Sequence, residues 1–306
     1  MEEAKRKIQE CLDKKRTVLD LSKLGLVKLP TNLPASLKRL DCSFNQIQIL
    51  PINLPASLKR LDCSFNQIQI LPINLPSSLR ELNCCDNQLQ VLPTNLPDSL
   101  TLLDCDNNQI QMLPPNLPAS LQILDCSHNQ IKILPDNLPP SLRILGCENN
   151  QIQVLPDNLP DSLEDLDCDN NKIQELPKNI PTSLKYLYCC NNLIQELPKN
   201  ILASLQHLFC NNNLIQELPK NIPESLLYLQ CHNNLIQELP LKLRIINCNI
   251  LCDGKINKLY YNEAVKVTKR TINKYKWRNW FNQWIYYKKL QQYIDPDSSK
   301  IIIGYL

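Results

Sequence analysis

The sequence predicts an α/β-type repeat fold, a solenoid built around one parallel β-sheet, and three periodic features predict it. Ten cysteines, Cys42, Cys63, Cys84, Cys105, Cys126, Cys147, Cys168, Cys189, Cys210 and Cys231, stand at steps of 21 residues. An asparagine follows each by three residues, from Asn45 to Asn234. A Leu-Pro pair follows each by eight, from Leu50-Pro51 to Leu239-Pro240. The 23 prolines would suggest disorder if they were scattered. Their periodicity instead marks a supersecondary unit that stacks on its own copies, so chain length says little about domain number.

Each unit has room for one short strand. Leucines lie five and two residues before the cysteine, as Leu58 and Leu61 do before Cys63. Side chains alternate along a strand, so Leu61 and Cys63 point inward while Arg60, Asp62 and Ser64 point out. About a dozen strands stacked in parallel at about 4.8 Å give a sheet roughly 60 Å long. The Pro-rich return is too short for an ordinary helix and suits polyproline or 3₁₀ structure on the far side. The asparagine column is expected to bond backbone groups of its own turn and of the neighbouring unit.

The pattern L-x-x-L-x-C-x-x-N-x-I-x-x-L-P resembles the leucine-rich repeat family over roughly residues 18–248. The short unit with its Leu-Pro-x-Asn-Leu-Pro return is similar to repeats in effectors of pathogenic bacteria. Cysteine in the strand and the Asn-Gln-Ile-Gln run are similar to repeat proteins of giant amoebal viruses. The resemblance implies a horseshoe with a parallel concave β-sheet, a non-helical convex side and a role in binding proteins.

The ends depart from the repeat, as caps do. Residues 1–17 read as an amphipathic helix with Ala4, Ile8, Cys11 and Leu12 on one stripe. Leu21 then takes the cysteine position and Leu24 the asparagine position. At the far end Leu243, Ile246 and Cys248 read as a last strand, only 17 residues after Cys231. Residues 249–306 carry eleven Lys and Arg against four Asp and Glu and hold all three tryptophans. Asn262 to Ile294 reads as a helix, either a C-terminal cap or a basic aromatic element that meets nucleic acid or an anionic membrane.

The series cysteines read as small buried hydrophobes in a reducing compartment, because a side-by-side column suits disulfides poorly. Cys85 and Cys190, one step past the series, are expected to be exposed thiols. The amino terminus has no apolar leader, and no stretch is long and apolar enough to span a membrane, so an intracellular, cytoplasmic chain is expected. No Gly-rich phosphate loop, zinc motif or nucleophile–base pair stands out, so no enzyme, cofactor or metal is expected.

The candidate site is the outward face of the sheet. Its first half is acidic, with Asp104, Asp125 and Asp167 in the middle column, and would suit a basic partner. Its second half is aromatic, with Tyr186, Tyr188, His207, Phe209, Tyr228 and His232 in three successive units. Exposed aromatics of this kind form binding hot spots, so these residues are the expected anchors for a protein partner. Self-association, with the basic tail entering the acidic concavity of another copy, is a further reading.

Overall fold

The computed structural model describes residues 1–199, 201, 204–240, 243 and 248–253. Of residues 249–306, read as a helical cap or basic tail, 254–306 lie outside these residues. The chain opens with helix α1 (Glu2–Asp13), whose Ala4, Ile8 and Cys11 are buried. Leu12, expected on the same stripe, is exposed. Glu2 and Glu3 occupy the first turn, where negative charge complements the helix dipole. Strand β1 (Val18–Asp20) follows.

Ten further strands recur at 21-residue steps: β2 (Arg39–Asp41), β3 (Arg60–Asp62), β4 (Glu81–Asn83), β5 (Leu102–Asp104), β6 (Ile123–Asp125), β7 (Ile144–Gly146), β8 (Asp165–Asp167), β9 (Tyr186–Tyr188), β10 (His207–Phe209) and β11 (Tyr228–Gln230). Strand β12 (Asn249–Leu251) completes a twelve-stranded parallel sheet whose spatial order is the sequence order. Each residue pairs with its equivalent one unit away, as Leu40 does with Leu61. The last strand corrects the sequence reading. It begins one residue after Cys248, and pairing of Tyr228 with Asn249 keeps the 21-residue register and places Cys252 opposite Cys231.

Strands of three residues cannot hold a sheet by themselves, and the turns after them continue the ladder. Cys42 N–H donates to the Asp62 carbonyl at 2.8 Å, and equivalent bonds recur in the units that follow. Behind the sheet the core of a unit is Leu37, Leu40, Cys42, Ile47, Leu50 and Leu54, all buried. All fifteen cysteines are free thiols. The series cysteines donate weakly to the strand of the next unit, as Cys63 Sγ does to the Asn83 carbonyl at 3.3 Å. Most Pro-rich returns close with a single tight turn, such as Leu58 N–H to the Pro55 carbonyl at 3.0 Å. A serine at the end of the return, such as Ser57, lies 2.8 Å from the carbonyls of Ala35 and Leu37 in the preceding unit.

The asparagine column binds as its position implies. Asn129 Nδ2 reaches the carbonyls of Cys105, Cys126 and Ser127, and its Oδ1 accepts from Ile110 N–H at 2.9 Å. The residue before each asparagine has positive φ, from Phe44 to Asn233, which turns the chain away from the strand. Asparagine tolerates that conformation well, and the side chains of Asn170, Asn191, Asn212 and Asn233 also bond one another in a ladder. Phe44 and Phe65 occupy the same strained position and are stacked at 4.1 Å.

Replacing Asn129 with alanine strands one buried N–H and removes a donor from three carbonyls. Asn129→Ala is expected to lower stability by about 2–4 kcal/mol, read as a reduced urea midpoint with the far-UV spectrum retained.

Candidate functional site on the face of the sheet

In each strand the central leucine or isoleucine points into the core, and the two flanking side chains face outward. The third strand position has a local duty first. Asp41, Asp62, Asn83, Asp104, Asp125 and Asp167 each accept the N–H two residues on, at 3.0–3.2 Å. This side-chain bond ties the strand end to its turn. It also explains why the column is so rich in aspartate, a signal legible in the Asp-x-Ser spacing and missed there.

Stacking carries a cost in charge. Burial, then the carboxylates of Asp125 and Asp106, push Asp104 well above the usual carboxylate range. Burial, then Asp169 and Glu148, do the same to Asp167. Asp169 is raised to about 7, chiefly by burial. Asp62 is raised to about 6 by burial and by Asp41. His128 partly offsets the acidity, with Nδ1 2.9 Å from Asp106 and 3.9 Å from Glu148.

The aspartate column is interrupted at its middle, where the Asp125 carboxylate occupies the space beside a glycine. Gly146 stands where neighbouring units carry Asp125 and Asp167, and a Cβ there would lie 2.9 Å from Asp125 Oδ1. In the two units that follow Asp125, carboxylate oxygens of Glu148, Asp167 and Asp169 lie within 4.8 Å of one another. Such a set is chemically able to hold a divalent cation or an ammonium group. These three are spread over two units, so only stacking brings them together. At the amino-terminal end the face is mixed, with Arg60 paired to Glu81 at 2.8 Å.

The aromatic half forms two rows. Tyr186, His207 and Tyr228 contact in succession, with centroids 4.9 and 4.7 Å apart. Tyr188 stacks on Phe209 at 4.9 Å and 11°. Phe209, expected as an exposed anchor, is only 5% exposed, because its neighbours on the sheet cover it. The tyrosines and His207 remain half-buried. His232 belongs to a different row from His207. Its Nδ1 is buried without a hydrogen bond among the described residues, and burial lowers its pKa against the opposing pull of Asp253.

Cys85 and Cys190 are corrections. They are 9% and 6% exposed, because the residue after each series cysteine turns beneath the adjacent unit. Cys190 Sγ donates to Asn211 Oδ1 at 3.0 Å. Burial first, then nearby aspartates, raise both thiols far above their usual range, so neither is a ready thiolate.

The Leucine Rich Repeat family model matches residues 120–140, a stretch that spans β6. A leucine-rich repeat protein of Leptospira interrogans is similar in structure, with a TM-score of 0.67, 25% identity and 80% of each chain covered. This array is a leucine-rich repeat solenoid. The functional domain of InlJ from Listeria monocytogenes, described as including a cysteine ladder, has a TM-score of 0.55 and 25% identity. That match covers 72% of this chain and 55% of the other. No curated protein sequence matches the chain. Among the described residues, no helix of the solenoid is long and apolar enough to cross a membrane.

The raised carboxylates set a pH dependence for the leucine-rich repeat array. A carboxylate whose folded pKa lies above its unfolded value keeps a proton in the fold that the unfolded chain releases. Stability therefore falls as pH rises through the folded values of about 6 and about 7 at Asp62 and Asp169. The melting temperature is expected to drop between about pH 4 and about pH 7 and to level off above that. Asp169→Asn, which keeps an acceptor for Cys190 N–H, should flatten the upper part of that fall.

Proposed function

We propose that this leucine-rich repeat array is a non-enzymatic scaffold that binds a protein segment along the outward face of its sheet. The partner segment lays basic side chains in the acidic half and packs apolar side chains on the rows of Tyr186, His207 and Tyr228. The observation that carries the reading is the cluster of Glu148, Asp167 and Asp169, whose carboxylate oxygens lie within 4.8 Å of one another on the face of the sheet. Carboxylates this crowded resist ionisation, and an incoming ammonium or guanidinium group relieves them. An aromatic surface beside a charged one gives an extended segment both register and grip.

A fluorescent peptide alternating lysine with leucine serves as the probe, titrated by anisotropy against the full chain. Asp125→Asn with Asp167→Asn is expected to weaken binding about tenfold or more and to flatten its salt dependence. Tyr186→Ala with Tyr228→Ala is expected to weaken it by about 1–3 kcal/mol for each tyrosine without unfolding the array. Phe209 is a poor test residue because its loss also opens the sheet cover. Unchanged affinity in both double variants rules out this face as the site.

A further inference from the structure

The seventh residue after each series cysteine forms a column on the flank of the solenoid, away from the sheet face. Its members are Ile49, Ile70, Val91, Met112, Ile133 and Val154, each 58–75% exposed. Six large apolar side chains in consecutive units make a continuous strip about 24 Å long. The backbone keeps the first two in register, since Ile49 and Ile70 form a parallel bridge. The fold does not demand apolar residues here. Glu175, Glu196, Glu217 and Glu238 fill the same position in the next four units, and Lys28 fills it in the unit before Ile49. Lys28 and these glutamates are exposed. The neighbouring column runs Ile52, Ile73, Thr94, Pro115, Asp136 and Asp157, so the strip is six units long and, beyond Ile73, one large apolar side chain wide.

We propose that this strip is the contact surface of an antiparallel homodimer. The strip is bounded by a cation at one end and an anion at the other. Two copies running in opposite directions about a two-fold axis set Ile49 opposite Val154, Ile70 opposite Ile133 and Val91 opposite Met112. The same register sets Lys28 of each copy opposite Glu175 of the other. A parallel arrangement would instead bring Lys28 against Lys28 and Glu175 against Glu175, which like charges disfavour. Six side chains of roughly 100 Å² each, about two-thirds exposed, offer about 400 Å² of apolar surface per copy. Exposed flanking residues such as Gln48, Gln69 and Gln90 bring the total buried by a pair to about 1,200 Å², the lower range of specific interfaces. The dimer is therefore a reversible one, and the sheet faces of both copies stay open to partners.

Sedimentation velocity of the full chain at concentrations up to about 100 µM tests the assignment. The wild type is expected to shift from monomer to dimer over that range. Val91→Glu with Met112→Glu is expected to stay monomeric with an unchanged circular dichroism spectrum, since the fold already accepts glutamate at this position. Lys28→Glu or Glu175→Lys alone is expected to weaken association about threefold to tenfold, and the two together to restore it. A wild type that remains monomeric throughout, or a dimer that persists in the double glutamate variant, overturns the proposal. Association unaffected by either charge reversal overturns the antiparallel register.

Discussion

The asparagine amide of each unit, buried in the middle units and half-buried towards the ends, is the interaction on which the rest of this solenoid depends. One amide spans two units: its oxygen takes an N–H from the preceding unit, and its nitrogen serves carbonyls of both. An aspartate there would face three carbonyls with no proton to offer, and a longer glutamine would not seat at the same depth. With the turn held this way, the chain can leave a three-residue strand through a left-handed residue and still keep its neighbour in register. The leucine core then stacks without error, and every outward position recurs at the spacing of the sheet.

That constancy makes each outward column an amplifier. A side chain harmless in one unit is repeated against itself at about 4.8 Å in the next. Aspartate at the strand end earns its place by bonding the turn, yet its repetition crowds carboxylates until burial and mutual repulsion hold protons on them. Tyrosine, histidine and phenylalanine in the same frame become stacked rows. Isoleucine, valine and methionine on the flank become a strip. The solenoid is uniform inside and zoned outside, and the zones change where successive units exchange one residue type for another: at Gly146, at Tyr186 and at Glu175.

Much of this was legible in the sequence because it rests on local chemistry and strict period. Alternation assigned Leu61 and Cys63 to the interior, the spacing assigned asparagine to the turn, and the departures at Leu21 and Leu24 marked the first unit. The acidic and aromatic halves of the face were also readable, since stacking maps a 21-residue step onto a column. What the tertiary structure alone decided concerns neighbours. The last strand lies at Asn249–Leu251 because pairing with β11, and not the nearest strand-like residues, sets its register. Phe209, Cys85 and Cys190 are covered because adjacent units close over them, and alternation along one strand carries no information about that. Three carboxylates from two units meet beside Gly146 for the same reason. Period and polarity settle which way a side chain points, whereas its exposure and its company are set by the units stacked on either side.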